Sequence, residues 1–380
     1  MKYKITALTP LLVGDGRQLA PIDYMVWKDQ VNVLDQPRIF KLLSRGPRLE
    51  GYLGQLKKAD KLDFAAWGGF AQNFSERRIP FEHSSSTAIW EKTPAEFLFI
   101  PTFAANHQGP YLPASAIKGA LRTALVFTRW SSSTIEKLAA SLESERLPRK
   151  LAEPLETSAG ATQVRILAVG DSTAIARSSL KIFLTRVANL DLRPGAPGQV
   201  MWKMAGRGNV PDNRIVGSTP TFTEMAIPGT EFSGYVSERK FLEDPQFLKA
   251  LGWRSSPDLQ TVGKAANAFA TAILDQHAKF ADNSGLLPLQ QSVAKLRSEL
   301  DASRNNHGEC LLCLGWGGGF LSKSSFLETE NESFRKLIRN MPALGRAFKG
   351  GTLFPKTRRI VFAGAQPVYL PGWVKLKFEA

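Results

Sequence analysis

Residues 111–127 read YLPASAIKGALRTALVF and contain the clearest helix pattern in the first half of the chain. Apolar residues recur at helical spacing from Ile117 to Leu125, and the preceding Ser115 is the predicted N-cap. The pattern predicts a helix that ends near Trp130. This helix is the first of the two main helices in the predicted fold.

Polar residues of the same stretch share one face of the helix. Ser115, Lys118 and Arg122 are separated by three and four residues, so their side chains lie on the side away from the apolar positions. Free amides at a helix start, a hydroxyl and two cations together indicate a phosphate site. A capped surface helix with solvated charges is the competing interpretation.

Strand patterns lie on both sides of this helix. They cover residues 2–13, 163–169, 180–187, 221–236, 310–314 and 373–378. Amphipathic helices are predicted at 256–279 and 289–301. Without the insertions, the order is strand, helix, strand, strand, helix, strand. We therefore predict an α+β fold with a ferredoxin-like (RRM-like) sheet, an arrangement that many RNA-binding proteins use.

The chain is predicted to form one composite domain over residues 1–380. Residues 36–110 are interpreted as a mainly helical and loop insertion. Residues 190–230 are rich in proline and glycine and are interpreted as an exposed, thumb-like excursion. Residues 315–371 form a region of glycine-rich and basic loops.

Composition favours a polyanionic partner. The chain has 49 Lys and Arg against 34 Asp and Glu, a formal net charge of +15 and a pI near 9.8. Charge alone does not distinguish RNA from DNA or an acidic membrane. The first residues alternate as a strand and are not a long apolar stretch, and two cysteines make a disulfide framework an unfavourable interpretation. We therefore expect a cytoplasmic protein without membrane association.

Two glycine-containing loops are candidate ligand sites. Gly14, Gly16 and Arg17 follow the first strand, where glycine lets the backbone approach a ligand, although a simple tight turn is the more frequent explanation of such a glycine pair. Trp316 and Gly317–Gly319 precede Lys323 in a loop that superficially resembles a P-loop. That motif requires glycine directly before the Lys-Ser pair, so ATP hydrolysis is disfavoured. Backbone amides beside an aromatic ring suit a nucleotide, and a flexible loop over a core tryptophan is the alternative.

Metal and catalytic chemistry have little support in the sequence. His307, Cys310 and Cys313 supply only three ligands for zinc, and we interpret the cysteines as core residues. The four histidines are scattered, so we expect no metal, no cofactor and no recognisable catalytic set. Asp23 is the one carboxylate close enough to the first glycine loop to meet bound RNA, although a loop aspartate is more often a turn or cap residue.

These motifs together resemble the RAMP superfamily of CRISPR-associated proteins. The resemblance rests on Leu8–Gly16, on Tyr111–Arg122 and on the late glycine-rich loop. The usual family form has glycine where Ala114 stands and serine where Ala116 stands. Four motif positions are kept: Ser115, Lys118, Gly119 and Arg122.

Within the superfamily, the chain is most similar to the type III-A (Csm) subunit at the 3′ end of the guide. Ile22–Tyr24 and the glycine-rich loop followed by Pro355–Arg358 carry this similarity. It implies a palm with a hairpin thumb within 190–230. The implied partners are crRNA, target RNA, a neighbouring RAMP backbone subunit and the small helical subunit of the Csm complex. Recruitment of a host trimming nuclease stays open.

The resemblance also implies a set of RNA contacts. We expect them at Gly14, Gly16, Arg17, Asp23, Ser115, Lys118, Arg122, Arg207, Arg214, Trp316, Gly317, Gly318, Gly319, Lys323, Lys356, Arg358 and Arg359. Related backbone subunits cut target RNA with a loop aspartate, but the 3′-end subunit is not regarded as a cutter. Asp23 is therefore carried over as a contact only.

The expected function is a non-catalytic crRNA-binding subunit that caps the 3′ end of the backbone and supports crRNA maturation. An alternative is a metal-independent RAMP endoribonuclease that processes precursor crRNA. Such enzymes usually place a histidine early, whereas His83 is the first here; a Tyr/Lys mechanism stays open. A sequence-tolerant RNA-binding protein outside CRISPR would explain the charge but not the combination of motifs.

Overall fold

The computed structural model describes residues 1–44, 46, 48–58, 61–62, 73–142, 156, 160–192, 198–205, 212–340 and 354–379. Its strands are β1 (Lys2–Ala7), β2 (Gln18–Leu19), β3 (Tyr24–Trp27), β4 (Gln30–Leu34), β5 (Ser75–Pro80), β6 (Ile100–Pro101), β7 (Ala105–Asn106), β8 (Gly109–Pro110), β9 (Leu167–Val169), β10 (Leu180–Asp191), β11 (Gln199–Trp202), β12 (Thr221–Ala226), β13 (Glu231–Glu238), β14 (Glu309–Cys313), β15 (Thr357–Ala363), β16 (Gln366–Tyr369) and β17 (Trp373–Glu379). Its α-helices are α1 (Gln36–Leu43), α2 (Leu49–Lys58), α3 (Ser85–Lys92), α4 (Ala114–Phe127), α5 (Ser132–Leu142), α6 (Pro245–Leu251), α7 (Leu259–Ser284), α8 (Leu287–Asn305) and α9 (Glu332–Asn340).

The first sheet is built around β1. This strand pairs antiparallel with β13 on one side and with β17 on the other, and the full order is β14-β17-β1-β13-β9. The alternation of β1 explains its position, because Tyr3, Ile5 and Ala7 are buried while the residues between them are not. The strand therefore packs one face against the core.

The second sheet is built around the long strand β10. Its first half pairs with β12, its second half pairs with β11, and β15 pairs along the opposite edge. Because side chains alternate along a strand, Leu184 and Arg186 point to one face while Thr185 and Val187 point to the other. The two faces therefore border two different pockets.

A third sheet lies in the first quarter of the chain. β3 and β4 form a hairpin whose turn residues, Lys28 and Asp29, both have positive φ angles, and β5 pairs with β4. Buried Glu224 of β12 joins this sheet to the second one, since Arg77 of β5 donates to its carboxylate at 2.9 and 3.2 Å.

The principal core lies between the first sheet and the helices. α4 packs through Ile117, Leu121 and Leu125, and its Phe127 ring lies 5.2 Å from the Phe269 ring of α7. Two smaller apolar clusters lie outside this core, one around α1 and α2 and one around α5 and α9. Within the described ranges, no helix combines the length and apolar character needed to span a membrane.

The α+β class predicted from the sequence is confirmed, with corrections to individual segments. Residues 36–110 hold α1–α3 but also β5–β8, and residues 315–371 hold α9, β15 and β16 as well as loops. The described part of 190–230 contains β11 and β12, so it belongs to the second sheet and is not an exposed excursion throughout. The strand predicted from 163 begins only at Leu167, because the preceding six residues form a 3-10 helix after left-handed Gly160.

Candidate nucleic-acid interface

The chain segment after β1 forms the floor of a surface groove. The carbonyl of Leu12 accepts a hydrogen bond from the Trp316 amide at 2.8 Å, and the carbonyl of Val13 accepts one from Ala104 at 2.9 Å. The first glycine loop therefore lies beside the late glycine-rich loop, although some three hundred residues separate them in the sequence.

Glycine makes this close approach feasible. Gly315 has a φ angle of +72°, and a Cβ atom there would lie 2.1 Å from the Leu12 carbonyl oxygen. A Cβ at Gly14 would lie 2.9 Å from the carbonyl oxygen of Thr102. Side chains at these positions would force the loops apart.

The start of α4 differs from the prediction. Pro113 occupies the N-cap position, Ser115 lies inside the first turn, and no side chain caps the helix from within. Instead, Asp171 accepts a hydrogen bond from the Ala114 amide at 2.7 Å. Our assignment of Ser115 as N-cap is therefore wrong, because a carboxylate from another segment already satisfies the first free amide of the helix.

Three of the predicted motifs line a single groove of about 700 Å³, which we call the three-motif groove. Its predicted members are Gly14, Gly16, Arg17, Ser115, Arg122, Trp316 and Lys323. It also contains Gln18, Thr102, Thr123 and Ser322, which the sequence did not single out. Among its described lining residues are three cations and no carboxylate. The lining therefore favours an anionic, hydrogen-bonding ligand.

The cations of the groove are only partly neutralised. The side chain of Arg17 is 82% exposed and pairs with Asp15 at 3.3 Å. Arg122 is half-buried and donates to Glu156 at 2.6 Å. Lys323 is exposed. An ion pair at a position as exposed as Arg17 is weak, so a phosphate that enters the groove can compete for that guanidinium group.

A second pocket of about 370 Å³ adjoins the groove and shares Trp316 and Lys323 with it. Its wall contains Gly317–Gly319 and Arg359. The Arg359 guanidinium lies 4.2 Å from the centroid of the Trp316 ring, a cation–π contact, and Thr185 accepts a hydrogen bond from it at 3.4 Å. The structure therefore brings together Trp316 and Arg359, two predicted contacts that are far apart within the region 315–371.

Arg358 also borders this pocket, but its guanidinium is hydrogen-bonded to other groups of the protein. The residue is 5% exposed, and its guanidinium donates to the carbonyls of Pro355 and Thr357 at 2.6 and 2.9 Å and to His277 Nδ1 at 3.0 Å. Burial lowers the pKa of Arg358 to about 9. Arg358 therefore has a structural role, and its RNA contact stays a prediction that requires a phosphate to displace these partners.

Asp23 likewise has local partners. One carboxylate oxygen accepts from the Ala20 amide at 2.7 Å, and the other accepts from the Gln36 side chain at 3.0 Å. Asp23 does not line the three-motif groove. Asp23 therefore acts as a turn residue within the fold, with a bond to each oxygen, and its RNA contact stays a prediction.

Lys118 lies beside a different surface from Arg122. It is absent from the lining of the groove and is close to Arg239 and Arg165. The Arg239 amide donates to the carbonyl of Ile166 at 2.7 Å, which places Arg239 next to Arg165. Burial, followed by Arg239 and Arg165, lowers the pKa of Lys118. These three residues form what we call the outer cation cluster, and sequence reasoning missed both arginines.

The remaining predicted contacts lie apart from the groove. Arg214 is 81% exposed and pairs with Asp212 at 3.0 Å, and Lys356 lies beside the second pocket without lining it. Arg207 lies outside the described residues. Among the residues that the structure describes, no three His, Cys, Asp or Glu side chains are grouped to hold a metal ion. Burial raises the pKa of the Cys310 thiol to about 12.

Known proteins match this chain over most of its length. The model of the RAMP superfamily matches residues 4–235. The CRISPR system Cms protein Csm5 of Methanocaldococcus jannaschii is 20% identical over 413 residues, which cover 99% of this chain and 88% of that protein.

Two solved structures have a similar fold. One is a chain in the cryo-EM structure of a Csm-crRNA-target RNA ternary complex of a type III-A CRISPR-Cas system, with a TM-score of 0.65 at 18% identity, covering 99% of this chain and 100% of that one. The other is the crystal structure of T. onnurineus Csm5, with a TM-score of 0.56 at 18% identity, covering 98% and 99%. These relatives confirm the resemblance to type III-A proteins that the motifs indicate. Because the superfamily model spans more than half of the sequence, including the first glycine loop and α4, the chain belongs to the RAMP superfamily.

Proposed function

We propose that this chain is a non-catalytic crRNA-binding subunit of a type III-A CRISPR effector complex, which caps the 3′ end of the backbone and supports crRNA maturation in the cytoplasm. The observation that carries the proposal is the three-motif groove. Segments from three distant parts of the chain converge there, with three cations and no carboxylate among its described lining residues. Relatives named as Csm5 and as part of a Csm-crRNA-target RNA complex support the same assignment.

The groove offers each type of contact that RNA requires. Arg17, Arg122 and Lys323 can meet phosphates, and residues of both glycine loops line the same space. The hydroxyls of Ser115 and Thr123 line the same space and suit the 2′-hydroxyl that distinguishes RNA from DNA.

We further propose that four strands of the first sheet form the ferredoxin-like palm of the family. Strands β17, β1, β13 and β9 are consecutive and antiparallel, with α4 following β1 and α7 following β13. This is the order that a strand, helix, strand, strand, helix, strand unit gives, with β14 as an added edge strand. The thumb of the family is proposed to arise from the segment between β10 and β12.

The proposed partners follow from the same relatives. We propose crRNA and target RNA as nucleic-acid partners, which the similarity to a chain of the Csm-crRNA-target RNA complex supports. A neighbouring RAMP backbone subunit and the small helical subunit are proposed as protein partners from the family resemblance alone. A host trimming nuclease would be a further partner if crRNA maturation depends on this subunit.

The full chain is expected to bind single-stranded RNA with a strong salt dependence and little sequence preference. Three phosphate contacts give a log–log slope of about −2, so affinity should fall roughly twentyfold between 50 and 200 mM salt. Fluorescence anisotropy with two unrelated RNA sequences measures both properties. An affinity that does not change with salt would rule out binding led by phosphates.

The isolated chain is expected to leave precursor crRNA uncut, with or without a divalent metal. Asp23 has both oxygens engaged within the fold, which supports this expectation. Labelled precursor incubated with the wild type and with Asp23→Ala provides the test. Specific cleavage that disappears in the variant would favour the endoribonuclease alternative over the proposal.

A further inference from the structure

A cavity of about 600 Å³ lies on the face of the second sheet that points away from the second pocket. One wall is α3 and the segment that follows it, and the opposite wall is the loop 215–220. Leu184, Arg186 and Phe362 form the base. Most of these walls are apolar, and the volume is typical of ligand pockets in proteins.

Arg186 is a buried cation at the base of this cavity. It is 4% exposed, and one terminal nitrogen donates to the carbonyl and the hydroxyl of Ser218. Its Nε is buried and has no hydrogen-bond partner. None of the ion pairs found among the described residues includes Arg186. Burial lowers its pKa to about 10, so the side chain stays charged at neutral pH.

A buried charge without a counter-ion is costly, and an entering anion removes much of that cost. The counter-ion of Arg186 cannot be a phosphate of an RNA bound in the three-motif groove. Thr185 contacts Arg359 and Val187 lines the second pocket, whereas Arg186 projects from the opposite face of β10. One buried cation among apolar walls, with Lys92 only at the rim, suits a carboxylate better than a polyanionic backbone.

The mouth of the cavity has features that a polypeptide would cover. Lys92 is exposed at the rim and adds a second positive charge. Beside it lies the apolar side chain of Val216, which is 93% exposed. A small molecule enclosed in the cavity would not cover this side chain. A chain segment crossing the mouth would bury Val216 and place a side chain inside.

We propose that this cavity is a docking site for an acidic segment of a partner protein, which inserts an apolar side chain and pairs a neighbouring carboxylate with Arg186. The site is separate from the RNA groove, and only the identity of the partner chain rests on the proposed membership of an effector complex. The apolar side chain replaces water at Leu184 and Phe362, and the carboxylate pairs with the Arg186 guanidinium at the base of the cavity.

A peptide titration tests the chemistry of the site. The probes are the N-acetylated and C-amidated tetrapeptide LLEG and its neutral counterpart LLQG, titrated into the full chain by ligand-observed NMR. We expect LLEG to bind the wild type at least about tenfold more tightly than LLQG, and Arg186→Met to abolish this preference. The exposed Arg254→Met is the matched control and should retain it. Equal binding of the two peptides to the wild type would overturn the proposal.

Stability measurements distinguish a ligand-binding arginine from a structural one. Methionine removes the buried cation but also its hydrogen bonds to the Ser218 carbonyl and hydroxyl, so Arg186→Met should lower the melting temperature of the free chain by only a few degrees and leave RNA affinity unchanged. A large loss of melting temperature would show that Arg186 supports the fold, and would overturn the proposal.

Photo-crosslinking in the assembled effector complex tests the occupant. A benzoylphenylalanine placed at Val216 should crosslink to another protein chain within three residues of an Asp or Glu, whereas the same group at exposed Tyr235 of β13 is the control. Crosslinks to RNA, crosslinks to a segment without acidic residues, or a yield no higher than at Tyr235 would each contradict the proposal. Because neither position lines the groove, failure here would leave the salt dependence of RNA binding intact.

Discussion

The double variant Arg122→Ala and Lys323→Ala is expected to bind single-stranded RNA about a hundredfold more weakly than the wild type at low salt. Both residues line the three-motif groove from opposite walls, one on α4 and one in the late glycine-rich loop. Loss of two phosphate contacts should lower the log–log salt slope by about 1.4. Fluorescence anisotropy over a range of salt concentrations measures affinity and slope together.

Lys57→Ala with Lys58→Ala is the matched control, because both lysines are exposed at the end of α2 and the variant loses the same formal charge. The control should change the log–log salt slope very little.

The outer cation cluster supplies the competing outcome. If Lys118→Ala lowers the slope while the groove variant does not, RNA follows that cluster and the groove is not the phosphate path.

Gly315→Ala is expected to destabilise the chain by about 3 kcal/mol and to weaken RNA binding. The new Cβ would lie 2.1 Å from the Leu12 carbonyl oxygen, and the backbone at this position is left-handed. A left-handed alanine costs roughly 1–2 kcal/mol, and overpacking against a backbone atom adds a similar amount. Urea denaturation of the full chain measures the change in the free energy of unfolding.

Gly319→Ala separates the two causes. Gly319 is also left-handed, with a φ angle of +66°, but no heavy atom lies within 4 Å of its built Cβ. This variant should therefore lose only the backbone contribution, about 1–2 kcal/mol. Equal losses for the two variants would show that the contact between Gly315 and Leu12 does not hold the groove together.

Local patterns in the sequence predict much of the fold. The apolar spacing from Ile117 to Leu125 predicts α4, and the long amphipathic pattern after Ser256 predicts α7, because each helix buries one continuous stripe. The family resemblance predicts RNA contacts in both glycine loops and in α4 without placing them together, and the structure shows the loops and the helix lining one groove.

Contacts between distant segments could not be predicted in this way. Asp171 caps α4 from fifty-seven positions away, a contact that no pattern within the helix encodes. Arg165 and Arg239 join Lys118 only because β9 pairs with β13. A basic side chain also gives no sign in sequence of whether it is buried, so Arg358 and Arg359 could not be told apart although they are adjacent.

The pairing of β1 with β17 has a consequence for biosynthesis. Lys2 lies opposite Glu379, so the middle of the first sheet joins residues from nearly opposite ends of the chain. Contacts of such high sequence separation form slowly, and the ribosome must release β17 before this sheet can close. The Trp373 amide also bonds to Thr9, directly before the first glycine loop. A polypeptide truncated before β17 would therefore lack this support for its groove, and we expect it to lose ligand binding.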